Sequence, residues 1–468
     1  MRNKLNLGIV ALLMAGTATF TGCSKSTDNP VNPIVNPPVN SGPSNALLAD
    51  SFFEKVTYRG AFGTTDWTAG WANFTPKTTV YGAATETLAG SITANRTLDA
   101  SKVYLLSGFV YVTDGVTLTI PAGTVIRGDQ TSKGTLVVTR GGKLIAEGTA
   151  AKPIVFTSNK AVGERAPGDW GGIIVLGKST NNIPGGTGLI EGGLTAPFGN
   201  HGGTDAADNS GVLKYVRVEF PGIAFQPSNE INGVTFGSVG SATTVDYIQV
   251  AYSGDDSFEW FGGTVNAKHL ISTANVDDVF DFDNGFSGKL QFLAGQRDPA
   301  LADQGGQSNG IESDNSEKDF VVAPKTRPVI SNLTLIGPGN VGKIDDKHEY
   351  ANMWRRGSKM ILANSIFIGF KYGIDVRNKE TSDALTDGSS LIKTNIYQSY
   401  TAGRDVEVGL PNNGSFASVD LLKTYLTANA NTIIDETAAS ALLSAPFSLT
   451  APNFTLKSGS VASTGASF

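Results

Sequence analysis

From residue 101 onward, apolar and polar positions alternate in short runs: VYLLSGFVYV, VTLTIPAGTVI, GTLVVTRGGKLIAEG, PIVFTS, GGIIVLG and GVLKYVRVEF. Alternation with period two, broken by Gly, Asn and Asp, predicts half-buried strands joined by tight turns. Helical spacing is nearly absent until SVDLLKTYLTANANTIIDETAASALLSAP, where apolar residues recur at helical intervals behind Ser418, a suitable N-cap. The chain is therefore expected to be almost all β, with one helical element near its end.

The strands repeat. SGDDSFEWFGG (253–263) returns as NVDDVFDFDNG (275–285), 22 residues on. Asp255 and Asp256 recur as Asp277 and Asp278, Phe258 as Phe280, Glu259 as Asp281, and Trp260 as Phe282. Ile248 precedes Leu270 by the same 22 residues, and Leu270-Ile271 is matched to Phe292-Leu293. NGIESDN (309–315) and YGIDVRN (372–378) continue the phrase, and Asn332, Asn364 and Asn395 form a companion series at spacings of 32 and 31. Such periods, with several short strands in each, predict the coils of a right-handed parallel β-helix. Alternation then sends Phe258, Phe280, Ile311 and Ile374 inward, with Trp260, Phe282 and Val376 beside them. The expected layout is an N-terminal cap over 48–100 holding Phe52, Phe53, Tyr58, Phe62, Trp67, Trp71 and Phe74. The coil occupies 101–410, and a C-terminal helical cap and tail occupies 411–468.

The same alternation turns carboxylates outward. One column reads Glu259, Asp281, Glu312, Asp375, and its neighbour reads Phe261, Asp283, Asp314, Arg377. Arg355, in MWRRG, is assigned to an intervening coil between Asp314 and Arg377. Rungs stand about 4.8 Å apart, where unscreened like charges repel by about 3 kcal/mol at an effective dielectric near 20. Two readings answer that cost. Either the face is solvated and balanced by Arg355 and Arg377, or Asp281, Asp283, Glu312 and Asp314 hold a hard cation, calcium. In the second reading Glu259, Phe261, Arg355, Asp375 and Arg377 are the surrounding ligand-binding positions.

Several motifs carry less. Gly254-Asp255-Asp256 resembles one element of polygalacturonase-type glycosidases, but no Asn-Thr-Asp, Gly-His-Gly or Arg-Ile-Lys accompanies it. Its recurrence at Asp277-Asp278 favours a corner role, since Asp suits turns. GIIVLGKS (172–179) fits the P-loop pattern, yet its middle is a strand and TNNIPGGTG cannot start a helix, so no nucleotide site is expected. The long excursion 181–211 contains Asp205, Asp208 and Asn209, read as a solvated loop or a second cation site. His201, His269 and His348 are scattered, which argues against zinc.

The N-terminus adds an address. MRNKLNLGIVALLMAGTATFTGC has a basic start, an apolar core and Phe20-Thr21-Gly22-Cys23, the pattern of a lipoprotein signal peptide over residues 1–22. Cys23, the single cysteine, is the expected lipid attachment point, which leaves no thiol for catalysis or metal binding. Losing Arg2 and Lys4 moves the net charge from −6 to −8 (−6 − 2). With no basic stripe, nucleic acid is not an expected partner. The Pro-, Asn- and Ser-rich stretch over 23–47 reads as an extended tether.

DWGGIIVLGK, NSGVLKYVRVEF, NEINGVTFGSVGS and GDDSFEWFGGTVNAKHLI, with YRGAF and WTAGW near the start, resemble a family of bacterial lipoproteins common in Bacteroidetes. The resemblance implies a β-helix of the pectin-lyase-like superfamily and an outer-membrane, lipid-anchored location, at the cell surface or on the periplasmic face. It implies no established chemistry. The expected function is binding of an extended ligand, a polysaccharide, with calcium assistance. A polysaccharide lyase or hydrolase and a structural or adhesive surface protein stand as the alternatives.

Overall fold

The structure, a computed structural model, describes residues 43–226, 229–339, 343–409, 413–435 and 437–468. The leader, Cys23 and the tether as far as residue 42 lie outside the described residues. A 26-stranded sheet holds nearly all the regular structure, and its pairings are parallel. The expected parallel β-helix is what forms.

One ladder of strands carries the repeated phrase. It runs through Ile173–Leu176, Val234–Val239, Phe258–Gly263, Phe280–Asp283, Ile311–Ser313, Tyr350–Trp354, Tyr372–Arg377 and Val406–Gly409. Phe258 pairs with Phe280 and Phe280 with Ile311, in the register the sequence predicts. The Tyr350–Trp354 strand intervenes before Tyr372–Arg377, which places Arg355 in its own coil as expected. Inside, Phe258 stacks on Phe280 at 5.6 Å, and Trp260 on Phe282 at 5.0 Å and on Phe286 at 5.4 Å. Each fully buried ring contributes about 2–3 kcal/mol of transfer free energy, so this aromatic column anchors the middle coils.

The other faces share strands that bend partway. Gly211–Glu219, Thr244–Ala251, Asn266–Thr273, Lys289–Gln296 and Val329–Ile336 turn at Tyr215, Tyr247, His269, Phe292 and Asn332, all with φ between 49° and 58°. A left-handed backbone costs a residue with a Cβ about 1–2 kcal/mol. Here the side chains offset part of that cost by stacking: Tyr215 on Tyr247 at 4.4 Å, Tyr247 on His269 at 4.1 Å and His269 on Phe292 at 5.2 Å. Asn364 and Thr394 hold the same corner in later coils.

Two register expectations shift by one residue. Leu270 pairs with Leu293, because five residues lie between Asp283 and Lys289 where four lie between Phe261 and Asn266. The asparagine column continues through Thr394 rather than Asn395, which instead accepts the Ser365 N–H at 2.9 Å.

The N-terminal aromatics lie along the flank of the coil and do not cap its end. Phe62 and Trp71 are buried with Ile271, Ala294, Ile336 and Ile366, outward-facing residues of successive coils. Trp67 stacks on Phe62 at 4.9 Å. Two buried glutamines grip this strap by both backbone groups: Gln249 at Asn73 and Gln291 at Glu54. A short helix at Pro43–Leu48 stands in the stretch expected to be tether, and its Leu48 packs on Val329 and Ile361. At the other end the helix Val419–Ala428 is capped by Ser418, whose hydroxyl accepts the Leu421 N–H. Its Leu422, Tyr425 and Leu426 join the main core, covering the last coils.

Candidate functional site

The outward column predicted on the repeated phrase exists in register: Glu259, Asp281, Glu312, Met353, Asp375, Glu407. Its acidic part opens into a pocket of about 350 Å³. Glu259, Asp281 and Glu312 supply the floor; Asp255, Asp256, Asp277 and Asp278 come from the corners just before the strands. Glu191 reaches in from the 181–211 excursion and Glu230 from the hairpin Ala224–Gln226/Asn229–Glu230. Arg355 is the cation in that lining, so nine carboxylates face one guanidinium.

The corners explain how the chain tolerates this. The Asp278 N–H donates to Asp256 Oδ1 at 2.8 Å, and the Asn309 N–H donates to Asp278 Oδ1 at 2.5 Å. Asp256 and Asp278 thus each receive the backbone of the next coil on one oxygen, leaving the other for the pocket they line. Beneath them lies Arg297, 1% exposed, which donates to the carbonyls of Val276 and Asp277. Asn275 donates to the Asp277 and Asp278 carbonyls at 2.7 and 2.6 Å. The Asn232 amide bridges Glu191 and Glu259.

Burial, then mutual repulsion, raises the carboxyls of Asp255, Asp256, Glu259 and Asp281 well above the usual range. Asp277 and Asp278 are raised in the same way, with Arg297 opposing. Glu312 is pushed up to about 8 and Asp283 to about 7, burial being the main cause for both. Burial works against the charge of Arg355, but Glu312 and Asp314 outweigh it and raise its pKa.

Of the positions expected to form a two-by-two acidic patch, Asp281 and Glu312 line the pocket. Asp314 is held by Arg355 at 2.8 Å and by Arg356 at 2.6 Å, and Asp283 accepts the backbone and amide of Asn284. Arg355 also pairs with Glu312, so arginines balance Glu312 and Asp314, and the concentrated charge lies on the other side, toward Asp255 and Glu191. Phe261 packs with Ile174, Leu176 and Ile190 beneath the excursion rather than facing a ligand. Asp375 and Arg377 pair with each other in a separate small pocket with Tyr350 and Glu407. In the excursion, Asp208 is 8% exposed and accepts the Ser210 hydroxyl, and Asp205 accepts the Ala207 N–H.

Sequence reasoning missed Glu191, Glu230 and Arg297, which stand outside the repeat and share no spacing with it. It set Asp255 and Asp277 aside as corner residues, although the recurrence itself was the signal. GIIVLGKS contains the strand Ile173–Leu176. His201 and His348 are buried and shifted down to about 4 and about 3, mainly by burial, and His269 meets Asp246 at 2.8 Å.

Three sets of residues bring one oxygen each within 4.8 Å of one another: Asp255/Asp256/Asp277, Asp256/Glu259/Asp281 and Asp278/Asp281/Glu312. The sets share Asp256 and Asp281, so they adjoin along the coil axis. Oδ1 of Asp277 and Oδ1 of Asp281 are buried without a hydrogen-bond partner among the described residues. Clustered carboxylate oxygens with unused lone pairs fit a hard cation.

A family model described as a pectate-lyase like beta helix domain matches residues 90–440. No curated protein and no solved structure matches the chain.

Proposed function

The chain belongs to the pectate-lyase-like β-helix family, and from that premise we propose that it binds an acidic polysaccharide through calcium held in the carboxylate pocket. The observation that carries this is the run of three adjoining carboxylate sets with unpartnered oxygens on Asp277 and Asp281. Nine carboxylates against Arg355 cannot all ionise in so small a volume, so the pocket must take up protons or cations. Calcium accepts six to eight oxygen ligands. Protein oxygens leave part of that shell for sugar carboxylates, and the cation supplies a charge bridge between two anionic partners. Asp256 and Asp281, shared between sets, are the residues expected to matter most.

The test is thermal unfolding of residues 43–468 in EDTA and then across a calcium titration. A site filled to about a hundred times its Kd adds about 2.7 kcal/mol. The midpoint should rise saturably, and Asp281→Asn and Glu259→Gln should abolish the rise. A midpoint indifferent to calcium would sink the reading.

A second reading, a polysaccharide lyase or hydrolase, draws on one observation: Glu312, pushed up to about 8, and Asp281 line one pocket with the cation Arg355, an acid beside a positive charge. Release of shortened or unsaturated sugar from a polyuronate separates it from simple binding. We propose too that Cys23 carries a lipid holding the coil at the outer membrane. Cys23→Ser should then move the protein from the membrane fraction to the soluble fraction.

A further inference from the structure

The excursion 181–211 borders a second cavity on the side away from the acidic pocket. It has a volume of about 700 Å³, and its lining runs from Thr113–Asp114 through Thr139–Arg140 to Lys178, with Phe198 and Gly202–Gly203 opposite. The coil side is built from three stacked corners, because Val112 pairs with Val138 and Val138 with Val175. We propose that this groove is an anion-binding subsite for a sugar ring, with Arg140 as the charge and Phe198 as the stacking face.

Arg140 is half-buried, and its Nη1 donates to the Gly202 carbonyl at 3.2 Å. No carboxylate stands within ion-pair distance of it among the described residues. The two acids of the lining are otherwise engaged. Asp114 faces Lys178 at 3.4 Å, and Asp205 accepts the N–H of its own turn. The Asp114–Lys178 pair is largely exposed and weak. A guanidinium with a free edge presents a planar fork that matches a carboxylate or sulfate. Phe198 stacks on Tyr111 at 4.4 Å, Tyr111 on Phe109 at 5.9 Å, and Phe109 meets Phe225 at 5.7 Å. That row fixes the Phe198 ring, so its face is already ordered before a ligand arrives. A cavity with an aromatic wall and a few convergent polar groups selects a ring by its apolar face and by one charge.

The inference rests on the coil being a polysaccharide-binding surface, but it does not depend on the cation. A calorimetric titration with a short oligogalacturonate in EDTA keeps the two apart. Binding should persist in EDTA and in Asp281→Asn. It should weaken about tenfold or more in Arg140→Ala, the loss expected of one charge-assisted hydrogen bond. Phe198→Ala should weaken it several-fold, Arg140→Lys should fall between, and a neutral oligogalactose should bind at least about tenfold more weakly. Absence of binding in EDTA overturns the proposal, as does equal binding of the neutral sugar. So do Arg140→Ala and Arg140→Lys proteins that fold normally and bind like the parent. Binding that requires calcium and ignores Arg140 would remove this subsite while leaving the acidic pocket standing.

Discussion

One column of outward side chains runs through both halves of the coil, and the halves differ completely. Tyr111, Val137, Ile174 and Thr235 occupy it first, then Glu259, Asp281 and Glu312. In the first half the excursion 181–211 covers the column, and Val137 and Ile174 are buried beneath Ile190, Leu194 and Ile231. In the second half Glu259, Asp281 and Glu312 line the acidic pocket, and carboxylates stand where the aliphatic residues stood. Backbone geometry is the same in both. The contrast shows that the β-helix fixes only position and spacing, and that the insertion decides which positions are roofed and which open into the pocket. Glu191, at the edge of that roof, belongs to both regions.

The sharpest way to break the comparison is to exchange the halves. Ile174→Asp puts an unpaired charge under the roof and should cost about 3–5 kcal/mol in chemical denaturation, with new proteolysis within 181–211. Asp281→Asn removes a like charge from the open half, so its sign should be opposite. In EDTA at pH 8 it should stabilise by about 1 kcal/mol. A loss of stability in Asp281→Asn under those conditions would show that the carboxylate is satisfied by protein groups, and that the open half is not a ligand site.

The two halves should also separate by pH. Glu312 and Asp283 have folded pKa values of about 8 and about 7, above their ordinary values, so the folded state binds their protons more tightly. Their contribution is complete in acid and lost as pH rises through about 7 to 8. His201, within the excursion, runs the other way. Its pKa is lowered to about 4, so below its ordinary range the unfolded state binds the proton and stability falls. In EDTA the unfolding midpoint should therefore rise as pH falls from 8, with His201 opposing part of the gain below about 6.5. Asp283→Asn should flatten this rise and His201→Gln should steepen it below about 6.5. The smallest effect is expected at Leu189, 55% exposed on the excursion: Leu189→Ser should stay within about 0.5 kcal/mol.

The coil was legible because its cause is periodic. Phe258, Phe280 and Ile311 repeat in type and spacing, and the structure stacks them as the pattern predicts. Where the reading slipped, as at Phe292, one extra corner residue changed the count without changing the pattern. The pocket was only half legible. Asp281 and Glu312 lie on the repeat, but Glu191, Glu230 and Arg297 arrive from an insertion, a hairpin and a strand end, and only the folded chain brings them together. Asp256 and Asp278 were read as corners or as site residues, as though one excluded the other. A carboxylate has two oxygens, and here one serves the turn while the other faces the pocket.

The flank strap has a mechanical consequence. Near its start it is fastened to the middle coils by Lys289 on Asp50 and Lys268 on Glu54. Further along, Glu219 holds Asn73 and Tyr81. A pull applied at the N-terminus, where a membrane anchor is proposed, would enter through Leu48 and Asp50 at the Val329 and Lys289 coils and not at the first rung, Glu86–Ile92. Load would be shared in shear across several coils, and the helix would not unzip from its weakest edge.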